Sequence, residues 1–340
     1  MTSQQIRALV ISIIISCGAY ALWIGFSDPA LVWQGLQKIG IPGILLILSL
    51  SLVNYGLRFF RYHKMMQRLG DNLPPIASCL YYLCGFALTT TPGKAGESVR
   101  YLYLKAHNVP FRHAIAVLLG ERLLDLIAVW IIALLGLWTF EELRWVILVA
   151  ALLCTMVLLV IRQPLTHRIL SRAMHATSLP WLKRIYEFVL ATFGRADHLL
   201  EFRPLAGGLG IGLLAWSAEA LGFVLLVHFL GYDLNPFVLA GIYAAAMLVG
   251  ALSFLPGGLG GAEATMHLLL TGLAVSSADS VVATLLCRIA TLWFAVLIGL
   301  LVMMYLESKL GRRHIPSTAD SSIGDLQVDQ QAKQNFDNRS

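Results

Sequence analysis

Long apolar segments that recur along the chain constrain its fold more than any other feature of the sequence. Hydrophobic residues make up 58% of the 340 residues and charged residues only 13%, whereas soluble globular proteins average about 45–50% and about 25%. Such a chain has too few polar groups to cover its surface in water. The sequence therefore predicts an all-α polytopic membrane protein, and it excludes a soluble enzyme, a disulfide-stapled secreted domain and a disordered protein.

The lengths of the apolar segments predict how the chain crosses the membrane, because a helix needs about 20 residues to span it. Segments 76–106 and 236–273 are each interrupted by a Pro-Gly pair, and we expect both to enter and leave on one side as re-entrant helical hairpins. We expect a polar loop over residues 27–38. Six further segments are predicted to be full spans, at residues 6–26, 41–60, 114–140, 145–161, 205–230 and 281–306.

The placement of lysine and arginine predicts the orientation, since cytoplasmic connections are rich in both. Four connections are basic, while the other four hold only Lys38 and Arg144 against five acidic residues. We therefore expect a bacterial inner-membrane protein with both termini in the cytoplasm. The first hairpin then enters from the inside and the second from the outside, and Arg58 and Arg61 are predicted to be anchors at the cytoplasmic boundary.

Residues 1–310 are predicted to form one membrane translocase domain, followed by a disordered cytoplasmic tail at 311–340. A basic cytoplasmic insert at 162–203 interrupts it. Apolar residues recur at helical spacing between Trp181 and Leu200, which fits either an amphipathic helix on an anionic leaflet or a simple linker helix.

The two interrupted segments resemble each other in sequence. Glu97 and Glu263 follow the two breaks 166 residues apart, and Arg122 and Arg288, in the spans that come next, are also 166 residues apart. With opposite expected orientations, these segments predict an inverted-topology repeat, with repeat 1 at about 41–140 and repeat 2 at about 204–306. Inverted repeats are typical of alternating-access transporters with a substrate site near the bilayer midplane.

Charged residues near the midplane form the candidate site. An arginine there costs about 2.5 kcal/mol or more and needs a partner, so we expect the pairs Glu97–Arg122 and Glu263–Arg288. Two roles fit these pairs: static ion pairs that pin each hairpin, or arginines that receive an anionic headgroup. The remaining candidates for substrate binding lie at the breaks or within spans: Lys94, Gly96, Asp125, Glu219, Gly258 and Gly260.

Local chemistry gives each of these candidates a reason. Helices are expected to begin near Gly96 and Gly261, which would aim two positive helix ends at the membrane interior. Since Glu121 and Asp125 both flank Arg122, we expect one of these acids to be protonated or to face water. Glu219 has no predicted partner and fits the wall of a cavity.

Other site chemistries have no support in the sequence. The five cysteines lie in apolar runs and are predicted to be free thiols, and no nucleotide-binding loop or hydrolytic motif is present. We expect no metal and no cofactor. The basic residues are spread along one membrane face, so we expect membrane lipids and no nucleic acid as partners. A homo-oligomer and a complex with a lipid-modifying enzyme both fit.

Residues 91–100 (TPGKAGESVR) and 255–263 (LPGGLGGAE) resemble the lysylphosphatidylglycerol synthase transmembrane-region family, over roughly residues 5–310. The family includes the flippase domain of multiple peptide resistance factors. The resemblance implies a lipid translocase fold with two re-entrant hairpins, and by motif match it implies roles for Glu97, Arg122, Glu263 and Arg288. We expect no soluble aminoacyl-transfer domain like that of the synthases after the membrane part. Stand-alone members of the family are linked to other lipids, including polyprenyl-linked sugars and hopanoids.

Together these features favour a transporter, not an enzyme, that moves an anionic or amphiphilic lipid between inner-membrane leaflets. The lipid classes that fit are phospholipids, aminoacylated lipids and polyprenyl-linked lipids. Two alternatives stay open at this point: an intramembrane glycosyl or acyl transferase that acts on a lipid, and a non-transporting subunit of an envelope assembly.

Overall fold

The computed structural model describes residues 29–134, 136, 201–253 and 255–310, with isolated positions between 145 and 172. The expected first span at 6–26, most of the span at 145–161 and of the insert at 162–203, and the tail at 311–340 lie outside the described residues. All regular elements in the described ranges are helical, which confirms the all-α class.

The described helices follow one another with short connections. The α-helices are α1 (Pro29–Arg68), α2 (Pro75–Cys84), α3 (Arg100–Leu104), α4 (Phe111–Leu134), α5 (Phe202–Phe229), α6 (Pro236–Leu252), α7 (Gly261–Gly272), α8 (Ser277–Arg288) and α9 (Phe294–Leu310). The 3₁₀ helices are Gly85–Leu88, Pro92–Val99, Lys105–His107 and Pro256–Gly258, and a π-helix, Ile289–Trp293, joins α8 to α9.

Helix α1 extends beyond the predicted span at both ends. It begins at Pro29, so the loop expected over residues 27–38 is wrong from residue 29 onward. A bend at Gly40 (φ 64°, ψ 172°) separates this first part from the rest. Glycine adopts this left-handed φ without steric cost. The helix ends at Arg68, so Arg58 and Arg61 lie ten and seven residues before its end.

Both interrupted segments have a short apolar helix followed by non-α backbone. We call residues 85–99 the first break and residues 253–260 the second break. Helix α7 begins directly after the second break at Gly261, as predicted. Within the first break the chain forms a 3₁₀ helix over Pro92–Val99, and α3 begins only at Arg100, so the expected start of a helix near Gly96 is wrong.

Close packing at Gly96 explains this difference. Its N–H donates to Oγ1 of Thr91 at 2.7 Å, and a Cβ on Gly96 would lie 2.6 Å from Cβ of Leu88. The chain is folded back on itself too tightly here to open into a regular α-helix. Gly96 therefore serves close backbone approach and not a helix N-terminus.

Three stretches of the described residues are long and apolar enough to cross a membrane: Trp33–Arg68, Arg203–Phe229 and Ser277–Lys309. Helix α4 has 24 residues, or about 36 Å of length, but it carries charged side chains in its middle. The count of six spans, the re-entrant path of the two hairpins and their opposite orientation stay predictions.

The chain divides into two compact units, residues 1–300 and 301–340. In the first unit the largest apolar core lies between α1, α4, α5, α6, α7 and α8 and includes the fully buried Phe223, Leu226 and Tyr243. In the second unit, residues 301–310 are helical and continue α9 to its last residue, Leu310.

The two breaks contact each other inside the first unit. A Cβ on Gly257 would lie 3.6 Å from Cγ2 of Thr90, which is buried. The first break also packs tightly on α9, because a Cβ on Gly299 would lie 2.2 Å from the backbone nitrogen of Ala87. These contacts cover the non-α backbone of the breaks with protein, which is what a path through the membrane requires of such backbone.

We predict that Gly299→Ala destabilises the protein by about 1–3 kcal/mol, because the added methyl group overlaps the backbone of the first break. Thermal unfolding of the protein in detergent measures this. Gly56→Ala is the matched control: it lies in α1, and nothing is within 4 Å of the position that its added methyl group would take. This change should stabilise the protein by about 0.5–1 kcal/mol. Equal unfolding temperatures for the two variants would contradict the packing.

Candidate functional site

The second break is closed by a buried ion pair. Nε of Arg288 donates to Oε1 of Glu263 at 2.7 Å, and Nη2 of Arg288 donates to the carbonyl oxygen of Gly257 at 2.6 Å. The other carboxylate oxygen of Glu263 accepts the N–H of Gly260 at 2.8 Å. The pair thus satisfies backbone groups that the break leaves without helical partners, and it caps the start of α7.

The first break holds the equivalent pair in a more open setting. Nη2 of Arg122 donates to Oε2 of Glu97 at 3.1 Å, and the hydroxyl of Thr89 donates to Oε1 of Glu97 at 3.0 Å. The Glu97 side chain is buried, but the Arg122 side chain retains 21% of its exposure against 4% for Arg288. Of the two arginines, Arg122 is therefore the one that a ligand reaches without first opening the pair.

The two pairs have matching positions along the chain. Each arginine lies 25 residues after its glutamate and eleven residues after the first residue of its helix, Phe111 or Ser277. The structure therefore brings together both pairs expected from the sequence. The two segments are therefore alike in structure as well as in sequence, and their inverted orientation stays a prediction.

Asp125 is the centre of a larger buried cluster. Its Oδ1 accepts from Nη2 of Arg61 at 2.5 Å and from Nε1 of Trp216 at 3.1 Å, and its Oδ2 accepts from Nη2 of Arg58 at 3.0 Å. Nη2 of Arg122 is 3.6 Å from the same Oδ2. The guanidinium of Arg58 also lies over the Trp216 ring, 5.4 Å from its centroid. Three arginines from two helices thus converge on one carboxylate.

The expectation that Glu121 or Asp125 faces water is wrong, because both side chains are buried. Glu121 is fully buried and forms an ion pair with Arg100, whose guanidinium lies 4.7 Å from the ring centroid of Tyr62. Both acids flanking Arg122 therefore have arginine partners of their own. The sequence did not reveal this because Arg100 and Arg61 come from other elements.

Glu219 has a partner that the sequence did not predict. The hydroxyl of Tyr243 on α6 donates to Oε2 of Glu219 at 2.5 Å, and both side chains are buried. The expectation of a glutamate without a partner is therefore wrong. Glu219 joins α5 to α6 in the core instead of presenting a bare carboxylate.

The remaining candidate residues have backbone roles. Gly258 has φ 69° and Gly260 has φ 85°, both in the region that favours glycine, and a Cβ on Gly258 would lie 3.0 Å from Cα of Gly250. Lys94 belongs to the 3₁₀ helix Pro92–Val99, and its side chain lies outside the described part. Among the described residues no cluster of histidine, cysteine and acidic side chains is placed to hold a metal ion.

Sequence reasoning missed Arg58, Arg61 and Trp216 as members of the site. The signal for the arginines was their i, i+3 spacing, which puts both side chains on one face of a helix. The predicted span ends at residue 60 and therefore separates Arg61 from Arg58. Nothing in the sequence alone connects Trp216, 91 residues away, to Asp125.

Comparisons with known proteins cover nearly the whole chain. Residues 8–299 match the family model described as the lysylphosphatidylglycerol synthase TM region. A UPF0104 membrane protein of Methanothermobacter thermautotrophicus is 24% identical over 329 residues, which is 89% of this chain and 97% of that protein. A UPF0104 membrane protein of Pyrococcus horikoshii is 22% identical over 301 residues, 78% and 90% of the two chains. The resemblance carried by the two breaks is thereby confirmed.

We predict that Arg288→Met lowers the unfolding free energy by about 3–5 kcal/mol, because it leaves the buried Glu263 carboxylate without its cation. Adding Glu263→Gln should recover part of the loss, since the amide is neutral. Unfolding of the single and double variants in a detergent titration gives the coupling energy, expected at about 0.5–3 kcal/mol.

The matched variant is Arg122→Met, which should cost less than Arg288→Met because the Arg122 side chain is partly exposed. Strictly additive effects of Arg288→Met and Glu263→Gln would show that the second pair does not couple energetically.

Proposed function

We propose that this chain, which belongs to the lysylphosphatidylglycerol synthase transmembrane-region family, is a lipid transporter that moves a lipid headgroup between membrane leaflets. Membership rests on the match over residues 8–299 and gives the chain a lipid-related role in a membrane. Translocation is the finer step that we add. The lipid that we propose is anionic or amphiphilic: a phospholipid, an aminoacylated lipid or a polyprenyl-linked lipid.

A single observation carries the proposal: two breaks in apolar helices contact each other, and each holds a glutamate–arginine pair at the same spacing. In transporters, discontinuous helices of this kind supply backbone groups and charges for a substrate in the membrane interior. A protein that needed only hydrophobic anchoring would have no use for them, because each charge placed at membrane depth costs free energy.

The difference between the two pairs suggests how a headgroup moves. Arg122 is partly exposed and shares its guanidinium between Glu97 and Asp125, so an anionic headgroup can bind to it while the glutamate stays paired with Thr89. Arg288 is fully engaged by Glu263 and by the Gly257 carbonyl. We propose that the two breaks exchange these open and closed arrangements as the headgroup passes, in an alternating-access cycle.

The proposal places the chain in a bacterial inner membrane with both termini in the cytoplasm, and it involves no covalent step. A lipid leaves the protein chemically unchanged. The two pairs act as binding and charge-balancing groups, and the protein is not an enzyme in this scheme.

Reconstituted vesicles test translocation directly. The full chain in liposomes that contain fluorescently labelled phosphatidylglycerol should accelerate the exchange of inner-leaflet label to the outer leaflet, measured by dithionite quenching. Glu97→Gln, Arg122→Ala and Arg288→Ala should each reduce the rate by about tenfold or more, since each removes a charge-assisted contact in the path. Mass spectrometry of the extracted lipid should find it unmodified.

Arg68→Ala is the control for loss of a positive charge on α1. It is paired with Glu201 on the exposed surface, and it should leave the rate unchanged. Wild-type flipping rates in the three site variants would remove the site assignment. A labelled lipid that gains or loses a chemical group would favour a transferase over a transporter.

A further inference from the structure

We infer that the Asp125 cluster is a binding site for a phosphoryl group, formed by Arg58, Arg61 and Arg122, so that the transporter recognises its lipid by the phosphate of the headgroup. This inference rests on the proposed function and goes beyond it, because it names the chemical group that the protein recognises and adds two arginines of α1 to the site. A phosphodiester and a phosphomonoester share this chemistry.

Three guanidinium groups meet at the Asp125 carboxylate. Guanidinium groups from Arg58 and Arg61 donate to opposite oxygens of the Asp125 carboxylate, and Arg122 is 3.6 Å from the same carboxylate. A single carboxylate ordinarily balances one guanidinium. Because Arg122 also bonds Glu97, the cluster holds three guanidinium groups and two carboxylates. This excess of positive charge has the electrostatic character of an anion site in which Asp125 is the resident anion.

Several buried N–H groups of these three arginines are not used in hydrogen bonds among the described residues. Nε of Arg58, Nε and Nη1 of Arg61, and Nε of Arg122 are buried and have no hydrogen-bond partner among the described residues. Arg58 and Arg61 are more than nine-tenths buried. Unused donors of this kind are costly, and native proteins retain them where a ligand or water completes the bonding.

The unused groups define the ligand that fits. All four are N–H donors of cationic side chains, so the complementary ligand is one that only accepts hydrogen bonds and carries negative charge. A phosphate has several acceptor oxygens and no donor as a diester, and arginine is the side chain that binds it best. An ammonium headgroup offers only donors and positive charge, and a neutral glycerol headgroup supplies no charge.

The second break provides an internal comparison. Nε of Arg288 donates to Glu263 and Nη2 donates to the Gly257 carbonyl. Both bonds are made to the segment that contains the second break. Arg122 occupies the corresponding position, yet its Nε has no partner among the described residues. N–H donors without a partner among the described residues are therefore a feature of the Asp125 cluster and not of every arginine near a break.

Two glycines of α5 leave space for the side chains that pack against this helix. A Cβ on Gly212 would lie 2.9 Å from Nη1 of Arg61, and a Cβ on Gly208 would lie 2.9 Å from Cδ1 of Leu124 and 3.8 Å from Cδ of Arg61. A side chain at Gly212 would crowd Arg61, and one at Gly208 would crowd Leu124. Trp216 lies on the same helix and holds Asp125 through its indole N–H. Arg122, with its partly exposed side chain, is the entrance to the site.

Calorimetric titration of the full chain in detergent tests the inference. The ligands are dihexanoyl phosphatidylglycerol, the phosphate-free dihexanoylglycerol, and soluble glycerol 3-phosphate. We expect the phospholipid to bind at least about tenfold more tightly than dihexanoylglycerol. In Arg61→Gln and Arg122→Gln this ratio should fall about tenfold or more, while the affinity for dihexanoylglycerol is retained.

Three controls separate recognition from folding. Arg68→Gln removes an exposed positive charge from the same helix and should leave the ratio unchanged. Arg61→Lys keeps the charge but loses the planar fork, so its ratio should lie between wild type and Arg61→Gln. Retained affinity for dihexanoylglycerol and an unchanged gel-filtration profile show that each variant is folded. If Arg61→Gln does not fold, the partly exposed Arg122→Gln decides the outcome.

Each outcome is informative. Equal affinity for the phospholipid and dihexanoylglycerol, or a ratio that the folded arginine variants leave unchanged, overturns the inference even if vesicles show lipid flipping. Phosphate-dependent binding without flipping supports the inference and contradicts the proposed transport. Glycerol 3-phosphate that binds as tightly as the phospholipid supports phosphoryl recognition and identifies a soluble phosphate as its source.

Discussion

Charge that is taken out of water has to be neutralised and hydrogen-bonded inside the protein, and the arrangement of this molecule depends on that requirement. In the described residues, arginines from four different elements are bonded to carboxylates that come from elsewhere in the chain: Arg58 and Arg61 on α1, Arg100 on α3, Arg122 on α4 and Arg288 on α8. These bonds join helices that apolar packing alone would leave free to slide. Since a buried charge without its partner costs free energy, these ion pairs fix which helices are neighbours.

The same requirement applies to the backbone at the two breaks. The carbonyl of Gly257 and the N–H of Gly260 lie outside the α-helices, and Arg288 and Glu263 bind these groups directly. At the first break, the hydroxyl of Thr91 accepts the N–H of Gly96, and the hydroxyl of Thr89 donates to the Glu97 carboxylate. The arginine of the second break thus bonds its backbone, whereas a hydroxyl group does so in the first. Arg122 lies against the carboxylates of Glu97 and Asp125 and is partly exposed, and this difference is the basis of the function that we propose.

Much of this could be read from the sequence because it depends on local pattern. The apolar segments, the breaks at Pro92 and Pro256 and the spacing of Glu97 and Glu263 to their arginines are all visible in the residue order, and the two expected ion pairs are present. The spacing of 25 residues from glutamate to arginine is the same in both segments, and this shared spacing predicts the two pairs. The start of the helix after the first break was not predictable, since it depends on how Gly96 packs against Leu88.

The sequence by itself determined that the chain is helical and apolar, where its helices are interrupted, and which charges have to be paired. Only the tertiary structure decided that Arg58 and Arg61 belong with Asp125, that Tyr243 bonds Glu219, and that Arg122 stays open while Arg288 is closed. The physical reason is that burial forces every charge to find a partner but does not say which one. That choice depends on which helices pack together, and residues far apart in the chain make it jointly.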